Sequence, residues 1–152
     1  MLIIGTVEFN NVTNPLYNNI RYTHLLPEDI PVWERFLKSQ DNIYSHFDYD
    51  VRVGEGRDPG SKFNEKDREL AILLSQRRID AVGYHVSHFA IIEITRSAGL
   101  KALGQLTAYP VLYRLKFKPN LSLKPILVCE ELQPDTEDAY LTQRITILRY
   151  PG

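Results

Sequence analysis

Several segments of the chain have the hydrophobic pattern of β-strands. In residues 46–53, aromatic and branched residues alternate with Asp and Arg, which indicates a half-buried strand. Residues 77–85 and 88–95 predict two more strands joined by a tight connection. Residues 123–132 contain a continuous apolar run, typical of a strand that is buried on both faces. Residues 145–150 predict a last strand, and the first 25 residues predict a strand followed by a turn-rich loop.

Other segments place apolar residues three and four positions apart, as amphipathic helices do. Residues 26–40 predict a helix with Pro31 in its first turn. Its buried face is expected to contain Val32, Trp33, Phe36 and Leu37. Residues 64–76 predict a second helix with Asn64 as its N-cap. The buried stripe of this helix is expected to contain Leu70, Leu73 and Leu74.

Two further helices follow. Residues 97–109 predict a helix that Ser97 caps and that ends or kinks at Pro110, because proline lacks the amide hydrogen of an interior helix position. Residues 136–144 predict a short one. Helices and strands thus alternate along most of the chain, which predicts an α/β fold with a central mixed β-sheet flanked by helices. The length of 152 residues suits a single domain.

The composition excludes several classes of protein and of structural site. A single cysteine, Cys129, excludes an intramolecular disulfide framework and a cysteine-based zinc site. No apolar run approaches the roughly 18 residues that a membrane helix needs. The N-terminus has no basic region before its apolar residues, so it does not resemble a signal peptide. We therefore expect a soluble, cytoplasmic protein without a membrane partner.

The net charge of -1 conceals an uneven distribution of charge. Residues 61–128 contain 11 Lys and Arg against 5 Asp and Glu, whereas residues 1–60 contain 5 against 9 and residues 129–152 contain 2 against 5. The middle of the chain is therefore basic and both ends are acidic. A basic segment attracts phosphate groups, but charge alone is weak evidence, and a solvated surface is the more common reason for such a segment.

Two acids, Asp80 and Glu93, stand among apolar residues of neighbouring predicted strands. If these strands form a hairpin that turns near residues 86–87, Asp80 lies directly opposite Glu93, with Cβ atoms about 5 Å apart. Two carboxylates this close are tolerated when a divalent cation lies between them or when one is protonated. Carboxylate oxygens are ligands that Mg²⁺ and Mn²⁺ prefer. In the alternative reading, one acid faces solvent or pairs with a nearby arginine.

The predicted third helix places Lys101, Gln105 and Tyr109 four residues apart, and therefore on one face. Because this helix follows the strand of Glu93 directly, that face can lie near the acids. A polar, solvent-facing stripe is the alternative, since amphipathic helices commonly have one.

Together these motifs resemble the core of the PD-(D/E)XK (restriction-endonuclease-like) nuclease superfamily. Asp80 matches the family's strand Asp, and Glu93 matches the acid of its Glu-x-Lys motif on the next strand. Gln105 and Tyr109 match the Gln-x-x-x-Tyr motif that one branch carries on the following helix. The resemblance covers about residues 64–131, and it implies a nuclease-like core at 61–152 with residues 1–60 as an extension packed on it.

The sequence departs from the family at one position. The lysine of Glu-x-Lys is replaced by Thr95, which is neutral and cannot activate water. Lys101 on the next helix is one possible substitute. Arg96 is closer in sequence but has the opposite strand parity, and its high pKa makes it useless as a base. Loss of catalysis is the other explanation, in which case the fold now only binds.

The resemblance implies a Mg²⁺-dependent (or Mn²⁺-dependent) nuclease that hydrolyses phosphodiester bonds, with DNA as the expected substrate. The implied metal ligands are Glu69, Asp80, Glu93 and the carbonyl of Ile94. Lys101 would orient the attacking water or contact the phosphate, and Gln105 and Tyr109 would position the nucleic-acid backbone. Small members of the superfamily often dimerise or act in larger assemblies, so self-association is also expected. The alternatives are an inactive nucleic-acid-binding or assembly module and a structural interaction protein.

Overall fold

The computed structural model describes residues 6–7, 22 and 24–152, and these residues form a mixed β-sheet flanked by helices. The strands are β1 (Thr6–Val7), β2 (His46–Val53), β3 (Arg77–Tyr84), β4 (His88–Ala98), β5 (Ser122–Leu132) and β6 (Thr146–Arg149). They lie side by side in chain order, antiparallel from β1 to β4 and parallel from β4 to β6. The predicted α/β class and mixed sheet are confirmed. The loop predicted after the first strand lies mostly outside the described residues.

Four helices accompany the sheet in the described part of the chain: α1 (Ile30–Leu37), α2 (Glu65–Ser75), α3 (Leu100–Phe117) and α4 (Glu137–Thr142). The predicted buried face of α1 is confirmed, and its Trp33 packs in one core cluster with Ile92 and Ile94 of β4. Ile91 of β4 packs instead with Tyr109 of α3. Because successive strand residues point to opposite faces, α1 and α3 cover opposite faces of the sheet. None of these helices is long and apolar enough to cross a membrane.

Helix α3 differs from its prediction at both ends. Ser97 is part of β4, because β4 continues to pair with β5 as far as Ala98, and the helix begins at Leu100 without a side-chain cap. The helix also runs through Pro110 to Phe117. Tyr109 and Tyr113, on either side of Pro110, are both buried against the sheet. Burial of a large side chain contributes about 1.5–3 kcal/mol, so two of them offset the roughly 3 kcal/mol that an interior proline costs.

Helix α2 begins as predicted but does not bury its leucines. The side chain of Asn64 accepts a hydrogen bond from the Asp67 amide at 2.8 Å, so the predicted N-cap is confirmed. Leu70, Leu73 and Leu74 are 53%, 45% and 65% exposed, so the predicted buried stripe is wrong. Polar contacts hold the helix end instead: Arg52 Nη1 donates to the Leu73 carbonyl at 2.6 Å, and Gln76 Nε2 donates to the Gly54 carbonyl at 3.1 Å.

In strand β2, apolar side chains before and after Asp50 point to opposite faces of the sheet. Tyr49 packs in the Trp33 cluster, but Val53 packs in the Tyr109 cluster on the opposite face. The backbone of Asp50 accounts for the change, because its φ of 54° lies in the left-handed region, which Asp tolerates better than most residues. The period of two therefore predicted the strand correctly, but its apolar side chains do not share one face.

Gly83 and Gly104 differ in the space that each would leave for an added side chain. A Cβ at Gly83 would lie 2.9 Å from Phe47 Cε1 and 3.0 Å from the Tyr44 ring, so we expect Gly83→Ala to destabilise the protein by about 1–3 kcal/mol. At Gly104, inside α3, a Cβ would meet no heavy atom within 4 Å beyond its chain neighbours and the helix's own backbone, and Gly104→Ala should stabilise by about 0.5–1 kcal/mol. Thermal unfolding followed by circular dichroism measures both. If both substitutions changed the unfolding temperature in the same direction, this account of the packing would be contradicted.

Candidate metal and catalytic site

The hairpin of β3 and β4 has the register predicted from the sequence. Paired residues have numbers that add to 173, as for Ala81 with Ile92 and Tyr84 with Phe89. The same register brings Asp80 beside Glu93. The Asp80 amide donates to Glu93 Oε1 at 3.4 Å, and the Ile94 amide donates to Asp80 Oδ2 at 2.9 Å. The structure therefore brings the two predicted acids together across the hairpin.

Both acids are strongly perturbed by their surroundings. Glu93 is only 5% exposed. Burial raises the pKa of Glu93 well above its usual value, and the charge of Asp80 and a hydrogen bond with its carboxylate raise it further. Burial also raises the pKa of Asp80, while the hydrogen bonds from Ile94 and Glu93 oppose that increase. In the absence of a cation, this arrangement favours a proton on Glu93 that is shared with an ionised Asp80.

The acid pair lines a cleft of about 380 Å³ at the carboxyl end of β4. The start of α3 forms another side of this cleft, and Thr95, Lys101 and Gln105 are among its lining residues. The carboxyl ends of parallel strands are a common place for ligands in α/β folds, because the loops that follow leave a crevice there. The cleft is therefore a candidate site with carboxylates, a cation and an amide facing one space.

The predicted face of α3 lies beside the acids. Lys101 is exposed at the cleft, and its positive charge lowers the pKa of Glu93, against the larger effect of burial. Gln105 Nε2 donates to the Tyr109 hydroxyl at 3.3 Å. Tyr109 is 6% exposed and packs in the core behind Gln105. Burial raises the pKa of Tyr109, so its hydroxyl is neutral at physiological pH.

Thr95, two residues after Glu93, lines the cleft. Its hydroxyl donates to the Ser97 carbonyl at 3.3 Å. The Arg96 guanidinium lies 3.8 Å from Glu130 Oε2, as expected from its opposite strand parity. Of the two cations considered as substitutes for the missing lysine, Lys101 is the one that lines the cleft.

Glu69 lies away from the acid pair. It is exposed on α2 and lines a separate depression with Asn64, Glu65 and Lys66. Ile94 does line the cleft, and its amide holds Asp80 as described above. The predicted ligand set is therefore brought together at Asp80, Glu93 and Ile94 and not at Glu69.

Two cleft residues, Asp29 and His24, were not predicted from the sequence. Asp29 is 7% exposed, and its Oδ1 accepts a hydrogen bond from the Arg96 amide at 2.7 Å. Burial raises the pKa of Asp29, and the charge of Asp80 contributes to the increase. His24 Nε2 donates a hydrogen bond to the Asp80 backbone carbonyl at 3.0 Å. An Asp two residues before Pro31 is typical of a helix N-cap. Its carboxylate makes no capping bond and bonds to β4 instead, a contact that local sequence does not reveal.

The donor set fits a divalent cation that keeps part of its water shell. Mg²⁺ is commonly bound by one or two carboxylates together with waters and substrate phosphates. Asp80 and Glu93 supply two carboxylates, and the repulsion between them is what a cation would relieve. Within residues 24–152, no group of three or more His, Cys, Asp and Glu side chains converges to hold a metal alone. Such a cation would therefore need water or substrate oxygens to complete its coordination.

Comparison with known proteins found no match among protein-family models, curated proteins or solved structures.

Proposed function

We propose that the protein is a Mg²⁺-dependent nuclease that hydrolyses phosphodiester bonds in nucleic acid, with DNA as the expected substrate. The observation that carries this proposal is the buried pair of Asp80 and Glu93 at the edge of an open cleft. Two hydrogen-bonded acids in an apolar strand pair destabilise the metal-free fold, and a cation offsets that cost. A resident metal ion would lower the pKa of bound water and neutralise charge on a phosphate.

The other cleft residues have roles that follow from their positions. Asp80 and Glu93 would hold the metal, and the Ile94 amide keeps the Asp80 carboxylate in place. Lys101 would contact the scissile phosphate or orient the attacking water, since it lines the cleft and its charge acts on Glu93. Gln105 would bind the nucleic-acid backbone, and Tyr109 would fix the Gln105 amide by the hydrogen bond between them.

The restriction-endonuclease-like core is part of the same proposal. The order of Asp strand, Glu strand, helix and parallel strand supports it, because that order puts the helix with Gln105 against the acids. The basic charge of residues 61–128 supports a nucleic-acid partner. Three expectations remain predictions: the boundary of the nuclease-like core at residue 60, the self-association of the chain, and its location in the cytoplasm.

A second candidate function is an inactive module of the same fold that binds nucleic acid or takes part in an assembly. Thr95 favours it, because its hydroxyl bonds to the backbone and adds no positive charge to the cleft. The two candidates differ in hydrolysis and not in metal binding, so both properties have to be measured on the same samples.

We expect Asp80→Ala to weaken Mn²⁺ binding at least tenfold and to remove Mg²⁺-dependent plasmid nicking. Calorimetry with Mn²⁺ and a nicking assay measure the two effects. Because Asp80 accepts the Ile94 amide, Asp80→Asn should be tested in parallel as a variant that keeps a hydrogen-bond acceptor. Glu69→Gln is the matched control, and it should leave both measurements unchanged because Glu69 lies outside the cleft.

The outcomes separate the candidate functions. Metal binding and nicking that are both lost in the Asp80 variants would support the nuclease. Metal binding without nicking in the wild type would favour the inactive module. No binding of Mn²⁺ by the wild type at millimolar concentration would contradict the metal site and leave Asp80 and Glu93 as structural acids.

A further inference from the structure

A second recess, of about 630 Å³, lies where the parallel strands β4, β5 and β6 begin. It is lined by His88 at the start of β4, by Lys124 near the start of β5, and by Arg144 just before β6. The acid cleft lies towards the other end of β4, and the two sites share no lining residue. The recess is therefore a separate site from the acid cleft.

The lining of the recess has the chemistry of an anion site. Lys124 and Arg144 are exposed cations, and within the described chain neither of them has an ion pair. The remaining polar lining consists of hydroxyl and amide groups: Ser87, Ser122, Gln143 and Thr146. No carboxylate of the described residues lines the recess, so the two positive charges are not neutralised there. Arginine, lysine and hydroxyl groups together are the usual donors to phosphate oxygens.

The backbone of Arg144 adds a second observation. Its φ is 57°, in the left-handed region that favours glycine and asparagine, and its amide donates to the Leu141 carbonyl at 3.0 Å to close the turn after α4. An arginine there costs about 1 kcal/mol relative to an unstrained backbone. This turn places the Arg144 backbone at the edge of the recess, directly before β6.

The imidazole of His88 is held rigidly at the edge of the recess. Its Nε2 shares a hydrogen bond with the Tyr44 hydroxyl at 2.9 Å, and its Nδ1 shares one with the Ser87 hydroxyl at 2.9 Å. Burial lowers the pKa of His88, and the positive charges of His85 and Lys124 lower it further. The local field is therefore positive, as an anion site requires.

We propose that this recess binds the phosphate group of a nucleotide or of a nucleic-acid backbone, with Lys124 and Arg144 as its charged contacts. The recess is larger than a phosphate needs, and Leu123 and Pro125 give it an apolar wall on which a sugar can pack. The binding requires no metal and does not depend on the acid cleft, so it holds whether or not the protein is a nuclease.

The test is a titration of the full chain, without metal, with three probes: inorganic phosphate, a nucleoside 5′-monophosphate and a short DNA duplex. Amide NMR shifts at Ser87, Lys124 and Thr146 show where each probe binds. The variant is Lys124→Ala combined with Arg144→Asn, because asparagine tolerates the left-handed backbone. The control is Lys62→Ala combined with Lys66→Ala, which removes the same charge from an exposed region outside the recess.

We expect at least tenfold weaker binding of one or more probes in the recess variant and unchanged binding in the control. A loss confined to the duplex would identify the nucleic-acid backbone as the source of the phosphate. A loss for inorganic phosphate and the mononucleotide would identify a small phosphate ester. The absence of recess shifts with all three probes, or equal losses in the variant and the control, would overturn the proposal.

Discussion

Glu93→Gln is expected to stabilise the metal-free protein at pH 8 and to abolish the proposed metal-dependent nuclease activity. Burial and the charge of Asp80 raise the pKa of Glu93, so the folded state holds a proton that the unfolded state releases at a lower pH. The stability that this proton contributes is fully present below pH 4.5, the ordinary pKa of Glu, and is lost as the pH rises through the raised pKa. Glutamine is neutral at every pH and therefore avoids that loss.

The expected gain is about 1–3 kcal/mol at pH 8 and close to zero at pH 4, because replacing a strained buried charge by a neutral group of similar shape is commonly favourable. For a chain of this size, 1 kcal/mol corresponds to about 2–4 °C in Tm. Thermal unfolding in the presence of a chelator measures the gain at both pH values. The same variant should lose at least 100-fold in nicking rate, because the metal would lose one of its two carboxylates.

Glu131→Gln is the control for this experiment, since Glu131 is an exposed acid on β5 and should change neither property. Added Mg²⁺ should raise the Tm of the wild type and leave that of Glu93→Gln unchanged, because binding to the folded state alone stabilises it. A Glu93→Gln protein that is less stable than the wild type at pH 8 would contradict the account of the acid pair as a strained site.

The acid pair was predictable because it depends on local features of the chain. Two strands with a short connection form a hairpin, and its turn position sets which residues face each other. The polarity of Asp80 and Glu93 then stands out against their apolar neighbours. Hairpin register and strand polarity therefore sufficed to predict the hydrogen-bonded acids, whereas the metal and the reaction remain proposals.

Contacts between distant segments were not predictable in the same way. The Asp29 carboxylate reaches the Arg96 amide, 67 residues away, and nothing in the sequence near Asp29 distinguishes this from ordinary helix capping. The periodicity of α2 resembles that of a buried helix, but none of its residues is buried in the structure. Pro110 would end an isolated helix, yet the packing of Tyr109 and Tyr113 on the sheet outweighs its cost.

Lys101→Ala is expected to reduce nicking about 100-fold with little change in metal affinity or Tm. Lys101 lines the cleft and is exposed, so its loss removes a positive charge near the scissile phosphate without removing core packing. A positioned cation or proton-transfer group contributes about 10²–10⁴-fold to such reactions. Nicking rates, Mn²⁺ calorimetry and thermal unfolding are compared with those of Lys62→Ala, an exposed lysine in the loop before α2.

A lysine introduced at position 95 distinguishes a relocated lysine from lost catalysis. Thr95 lines the same cleft as Lys101, so Thr95→Lys places a cation two residues after Glu93, where the resemblance to PD-(D/E)XK nucleases predicts one. If Lys101 has taken over the role, Thr95→Lys should recover at least tenfold of the activity lost in Lys101→Ala and add little to the wild type. If catalysis has been lost, the wild type should not nick DNA, Lys101→Ala should change nothing, and Thr95→Lys alone should create activity. An active wild type that is insensitive to both substitutions would show that neither lysine position serves the reaction. The water would then have to be oriented by another cleft residue, such as His24, whose Nε2 lies 3.0 Å from the Asp80 carbonyl oxygen.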